Sequence, residues 1–297
     1  MDENYKNDFI KAGSIAKEVR AYGKSLIVKG ASYNEVITKI REKILFLGAI
    51  PAFPPQIALD VVAAHFLPQP EDDIIFSNQL IKLDVGICYN GAIGDCAVTI
   101  DLSGKHQKII DAAEAALLSA EKILEVGLPV REIGQIIEQT ITSFGLKPVR
   151  NLTGHGLGKN KIHTTPHIPN CDDKSKAVLK AGMTFAIEPF ATDGAGWIFD
   201  AGNATIFSVI GPKKKFTGFV DDVYQKALAF EGLPFCIHDL IDQKTPLDLV
   251  RKAIKVLIKE RTFADYAPLV EEAGGMVAQA ENSVLIDDSG KVFITTR

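Results

Sequence analysis

Apolar positions along this chain recur with two different periods, and the switches between them mark out its elements. Over residues 5–29, Phe9, Ile10, Ala12, Ile15, Ala16 and Val19 repeat at helical spacing as far as Gly30. Ser32 with Glu35 has the form of a capping box opening a second helix, which Gly48 ends. Pro51, Pro54, Pro55, Pro68 and Pro70 then predict an irregular stretch that carries His65. Ile81–Tyr89 and Asp95–Leu102 read as two strands around Asn90-Gly91, a dipeptide suited to a tight hairpin because both residues tolerate φ > 0.

Helical spacing returns over about 105–125 through Ile109, Ile110, Ala113, Ala116, Leu117, Ala120, Ile123 and Leu124. Gly127 and Pro129 punctuate it, and Val130–Phe144 predicts a further helix. Strands are predicted around Val149–Leu152 and Thr184–Phe190. The order helix, helix, strands thus occurs twice, which implies one domain over 1–297 built from two halves related by weak duplication. Between about 213 and 263 the texture changes to amphipathic helices (Val220–Phe230 and Leu247–Ile258, the latter opened by Thr245-Pro246 and Asp248), read as a helical insertion. Gly275–Leu285 and Lys291–Thr295 then return to the sheet.

With 297 residues and 46% hydrophobic content the chain can bury a large core. Its 33 Lys and Arg against 37 Asp and Glu leave a net charge of -4, so no global positive field draws it to nucleic acid or to an anionic membrane. Small-molecule or peptide substrates are the expectation. Cys88, Cys96, Cys171 and Cys236 form no CxxC pair, which fits thiols packed as small hydrophobes in a reducing compartment. The polar start lacks a signal-peptide apolar region, and no run approaches the roughly 20 apolar residues that span a bilayer, so a cytoplasmic protein is expected.

Five side chains carry the chemistry: Asp84, Asp95, His155, Glu188 and Glu281. A tight turn at Asn90-Gly91 sets residue 84 opposite 97 and residue 95 opposite 86, so Asp84 and Asp95 project from one face as diagonal neighbours about 7–8 Å apart. Their carboxylates can then reach toward ions about 3.5–4 Å apart. His155 sits among Gly154, Gly156 and Gly158, which free the backbone to turn and let an imidazole approach an ion. No Gly-Lys-Ser/Thr ending follows, which disfavours a phosphate loop. Glu188 lies in the apolar strand Met-Thr-Phe-Ala-Ile-Glu-Pro-Phe, with Pro189 ending the ladder, and Glu281 repeats the pattern in Val-Ala-Gln-Ala-Glu-Asn-Ser-Val-Leu-Ile. Four carboxylates in an apolar core repel one another unless cations hold them. The set predicts a hydrolase with two divalent ions; Co, Mn, Fe and Zn all suit such ligands.

Ala-Phe-Pro followed by Ala-Ala-His (His65), Lys-Leu-Asp-Val-Gly (Asp84), Gly-Asp-Cys-Ala-Val-Thr (Asp95), Gly-His-Gly-Leu-Gly (His155), Lys-Ile-His (His163), Ala-Ile-Glu-Pro-Phe (Glu188) and Ala-Gln-Ala-Glu (Glu281) together resemble type II methionine aminopeptidase in its archaeal form. The resemblance implies an α+β pita-bread fold: a pseudo-two-fold curved antiparallel sheet with outer helix pairs and a helical insertion. It implies removal of an initiator methionine ahead of a small residue by a metal-bridging hydroxide. Asp84 would chelate one ion, Asp95 and Glu281 would bridge the pair, and His155 with Glu188 would complete the other. Glu188 would also shuttle the proton, His65 and His163 would bond the substrate, and Phe53, Ile162, His163, Phe190 and Tyr266 would line the methionine slot.

The partners implied are nascent polypeptide N-termini beginning with Met, met in the neighbourhood of the ribosome, with no specific nucleic acid, no membrane and a monomeric state. The chain departs from the family pattern at Asn282, where many relatives carry His. Two rivals follow from the same resemblance. A proline-directed peptidase of the prolidase or aminopeptidase P type uses the same ligands but usually carries an extra N-terminal domain, whereas about 80 residues precede Asp84 in this chain. A catalytically silent pita-bread binding protein would be expected to have lost ligands, and all five stand.

Overall fold

The computed structural model describes residues 1–297 as six α-helices around short antiparallel strands. Helix α1 (Glu3–Leu26) starts at Asp2, whose carboxylate accepts from the Asn4 N–H, and it ends at Leu26 because Ile27 turns extended. Helix α2 (Tyr33–Phe46) starts at Ser32, whose hydroxyl accepts from the Glu35 N–H at 3.2 Å, the serine half of the expected capping box. Both helices cover the outer face of the hairpin formed by β1 (Leu80–Tyr89) and β2 (Ala92–Asp101). Ile15, Val19, Ile37, Ile40 and Ile44 meet Ile81, Leu83, Val85 and Ile87 there. Each such side chain contributes roughly 1.5–3 kcal/mol of burial.

Asn90 and Gly91 take φ of 51° and 86°, the left-handed pair that a two-residue hairpin turn requires. Strand β2 therefore begins at Ala92 rather than Asp95, and the register is Asp84↔Ala97 and Gly86↔Asp95, the parity read from the sequence. Proline does not keep the whole 51–70 stretch irregular: Gln56–Leu59 pairs with β1 and Val62–Ala64 follows, the chain reversing at Asp60, whose φ is 52°.

The second half repeats the plan. Helices α3 (Gln107–Lys122) and α4 (Val130–Ser143) pack Ile109, Ala113, Ile133 and Ile137 against a five-stranded antiparallel sheet. Its members include β3 (Thr153–Gly158), β4 (Lys161–Pro169) and β5 (Thr184–Ile187). The strand expected at Val149–Leu152 is displaced to Thr153, because the Asn151 side chain instead bonds the Ile198 backbone through both its oxygen and its nitrogen.

At the glutamates the ladder ends by Pro189 as expected, while the reach of two strands is corrected. The predicted Thr184–Phe190 strand is broken into β5 and β6 (Phe190–Thr192) at Glu188-Pro189, since proline offers no N–H to the ladder. Gly275–Leu285 is likewise broken, into β7 (Val277–Gln279) and β8 (Asn282–Ile286), at Ala280-Glu281. The Ala280 N–H donates to the Pro189 carbonyl at 3.2 Å, so the two breaks face each other.

Helices α5 (Phe219–Leu228) and α6 (Leu247–Lys259) share their own apolar cluster around Tyr224, Phe235, Leu240 and Ile254. The antiparallel pair Ile206–Val209 and Phe263–Tyr266 ties this unit to the rest, with Ile206 opposite Tyr266. No helix is long and apolar enough to cross a membrane.

Candidate metal centre and substrate cavity

Strand pairing and strand breaks together aim the acidic side chains inward. Asp84 and Asp95 come from one face of the hairpin, and Glu188 and Glu281 from the two facing breaks, where freedom from a ladder lets each carboxylate turn in. His155 stands on β3 beside a register shift between His155 and Gly156. At Gly156 a Cβ would lie 2.2 Å from the Thr165 carbonyl oxygen, so only glycine lets β4 close over this strand.

Asp95, His155 and Glu281 each offer a ligand atom within 4.8 Å of the others. The His155 Nε2 lies 3.7 Å from Asp95 Oδ2 and 3.6 Å from Glu188 Oε1. These separations exceed direct hydrogen bonds and leave a gap between the ligand atoms. Gln279 Nε2 spans the two glutamates, 3.4 Å from Glu188 Oε2 and 3.5 Å from Glu281 Oε2.

The electrostatics match a cation site. Burial pushes the Asp84 carboxyl up to about 7. It also holds Asp95, Glu188 and Glu281 well above the usual carboxylate range, and the charges of the neighbouring acids add to the effect. Burial lowers His155 to about 3, with His163 adding to the shift, which leaves a neutral imidazole free to ligate. Asp84 Oδ1 and Asp95 Oδ1 are buried and have no hydrogen-bond partner. Uncompensated buried carboxylate oxygens are costly, and a divalent cation supplies what they lack. Oxygen and imidazole donors without thiolate are the ligand chemistry of a hard or borderline ion, so the residues fit the group expected.

All the side chains singled out from the sequence line one cavity of about 290 Å³: Phe53, His65, Asp84, Asp95, His155, Ile162, His163, Glu188, Phe190, Tyr266 and Glu281. His65 and His163 both adopt φ of 60°, an uncommon conformation for a side-chain-bearing residue. The His163 ring meets His155 edge-on at 4.5 Å, and Tyr266 lies 5.6 Å from His65 and 6.3 Å from His163. Burial lowers His65 to about 4, and it also lowers His163.

Sequence reasoning missed Gln56, Asn151, Leu152, Thr153, His167, Ile206, Pro234 and Leu269, which also line the cavity. Gln56 had a signal that went unused: once the hairpin register is set, the strand antiparallel to β1 places it opposite Asp84. Its Oε1 is buried and unpartnered. Gln279 likewise lay inside a recognised motif, two residues before Glu281.

The profile of metallopeptidase family M24 matches residues 7–286. A methionine aminopeptidase of Archaeoglobus fulgidus is 35% identical over 297 residues, covering 99% of this chain and 100% of its own. Among solved structures, a methionine aminopeptidase from Thermotoga maritima superposes with a TM-score of 0.72 at 21% identity, covering 100% of this chain and 98% of its own. A thermophilic Arx1 superposes with a TM-score of 0.87 at 13% identity, covering 99% and 91%. These structures share the fold, two curved halves with helix pairs outside and strands within, as expected for the pita-bread class.

Proposed function

The chain belongs to metallopeptidase family M24, and from that premise we propose that it removes the N-terminal methionine from proteins and peptides whose second residue is small. The observation that carries this reading is the convergence of four acids, Asp95 and Glu281 buried and Asp84 and Glu188 half-buried, with one neutral imidazole beside apolar side chains in the same cavity. In this reading Asp84, Asp95, His155, Glu188 and Glu281 would hold the divalent ions, with Asp95 and Glu281 the candidates to serve both. Bound there, the ions supply the Lewis acidity that activates water and polarises the scissile carbonyl at neutral pH.

The remaining work falls to the protein's own groups. Glu188 is the residue that moves a proton to the leaving amine, and Gln279 Nε2 near its Oε2 orients the carboxylate for it. A neutral imidazole offers one N–H donor and one lone pair, and burial disfavours the charged form of His65 and His163. They bind the substrate amide and stabilise the oxyanion that develops at the carbonyl. Phe53, Ile162, Phe190 and Tyr266 receive the thioether, since sulfur against aromatic rings is favourable by about 0.3–1.5 kcal/mol. We read the whole of 1–297 as one catalytic domain with a helical insertion at about 213–263, whose tying strands deliver Ile206 and Tyr266 to the cavity.

The test is to offer the purified, metal-loaded protein Met-Ala-Ser and Ala-Pro-Ala. Release of methionine from the first alone is expected; cleavage of the second alone would assign the chain to proline-directed peptidases instead. Glu281→Ala is expected to abolish turnover with the fold retained, and parent-like turnover would show that Glu281 does not bridge the ions.

A further inference from the structure

Glu281 lies at a break between strands, so no ladder fixes its peptide. Its N–H reaches the Ala97 carbonyl only at 3.4 Å. Its own carbonyl accepts from Arg20 Nη1 on α1 at 3.0 Å. The same guanidinium donates to Asn282 Oδ1 at 3.1 Å and to the Thr296 carbonyl at 2.7 Å. Asn282 Oδ1 also accepts from Thr296 Oγ1 at 2.9 Å, while its Nδ2 donates to Glu121 Oε1 on α3 at 2.7 Å. A cation faces the amide oxygen and a carboxylate faces the amide nitrogen, so only one orientation of this side chain satisfies both.

The next residue performs the same service for the other shared ligand. Ser283 Oγ accepts from the Asp95 N–H at 2.7 Å and donates to the Asp95 carbonyl at 2.8 Å, clamping that peptide on both sides. The Ser283 N–H donates to Thr296 Oγ1 at 2.9 Å, which closes the network onto Asn282. Asn282, Ser283 and Thr296 are all buried, so a lost hydrogen bond there leaves its partner costly to satisfy.

From this geometry we infer that Arg20, Asn282 and Ser283 are positioning residues for the metal centre, fixing the peptide units from which Glu281 and Asp95 reach the ions. The inference rests on the reading of those two carboxylates as ligands. Groups that orient ligands typically alter metal affinity or activity by about 10–100-fold when removed. Asn282 joins the network from α1 to α3, so its removal loosens both shared ligands together.

The experiment uses the full chain stripped of metal, titrated with Mn²⁺ by calorimetry and loaded with Co²⁺ for visible absorption, alongside kcat and KM on Met-Ala-Ser. Asn282→Ala is expected to weaken Mn²⁺ binding by roughly 10–100-fold and to shift the Co²⁺ bands. It should lower kcat while KM stays within about twofold. Arg20→Lys, which keeps the charge and part of the bonding, is expected to fall between that variant and the parent. A Mn²⁺ isotherm and Co²⁺ spectrum that superimpose on the parent's, with only the melting temperature lowered, would overturn the inference and leave a purely structural role. If Asn282→Ala does not fold, Arg20→Gln carries the same measurements with the same opposing outcomes. Glu281→Gln separates the two levels: loss of binding there with parent-like Asn282→Ala overturns the positioning role alone, and parent-like binding in Glu281→Gln overturns the ligand reading beneath it.

Discussion

Phe53 packs against Gly86 so closely that a Cβ at position 86 would lie 2.1 Å from the ring's Cε1. Gly86 is the residue directly opposite Asp95 in the hairpin, so one contact joins the wall of the proposed methionine slot to the strand pair that carries two of the proposed ligands. Gly86→Ala must displace the ring. Overpacking of this kind costs about 1–3 kcal/mol. The expected result is a lower melting temperature together with a several-fold higher KM for Met-Ala-Ser. A KM equal to the parent's would show that Phe53 does not shape the slot.

Gly156 gives a second steric prediction, aimed at a different ligand. The Cβ introduced by Gly156→Ala meets the Thr165 carbonyl at 2.2 Å, and backbone cannot step aside as a flexible side chain does. Strand β4 must separate from β3 next to His155, and His163 moves with it. Turnover is expected to fall at least 100-fold with helical content retained by circular dichroism. Unchanged turnover would refute the close packing of these strands.

Removing metal is expected to destabilise the fold. The buried oxygens of Asp84 and Asp95 lose the cation that compensates them. A ligand that binds only the folded state stabilises by about 2.7 kcal/mol at a hundred times its dissociation constant. Chelation followed by thermal melting should therefore lower the transition, and added Mn²⁺ or Co²⁺ should restore it. A transition indifferent to both treatments would contradict a cation site at these carboxylates.

Specificity at the second residue is expected to be steric. Tyr266 stands 5.6 Å from His65 and 6.3 Å from His163 by ring centroids, so these rings crowd one side of the cavity. Met-Gly and Met-Ala peptides should be cleaved and Met-Leu and Met-Arg peptides spared. Equal kcat/KM across this series would refute the argument.

A pH prediction follows from a group outside the cavity. Burial works to raise the Asp101 carboxyl, but bonds from Ser103, His106 and Gly104 outweigh it and hold the group below its usual range. A folded-state value below the unfolded one means stability that is complete above the unfolded value of about 3.9 and lost as pH falls through the folded value. Asp101→Ala is expected to cost about 1–2 kcal/mol at pH 7. The difference from the parent should shrink below pH 4, and urea unfolding at pH 7 and pH 3.5 measures it. A difference independent of pH would show that the charge contributes nothing.

The helices and the hairpin were legible because a local rule governs each. Ile15, Val19 and Ile109 mark buried helix faces by spacing alone, and Asn90-Gly91 fixes a register without reference to distant residues. The break after Glu188 was legible from Pro189, but the break at Glu281 was not. An apolar run looks the same whether its ladder continues or stops, and the Ala280 N–H that bonds the Pro189 carbonyl at the second break joins residues far apart in sequence. Gln56 was hidden for a related reason: proline-rich surroundings conceal a strand that exists only because β1 offers it an edge. His167 faces His155 across β3 and β4, where a bulge defeats simple counting.

The clamp of Ser283 on Asp95 joins the last strands of the chain to one of its first. Because Glu281 arrives nearly two hundred positions after Asp84, the acidic cluster assembles only once the last strands of the chain have folded back onto the hairpin.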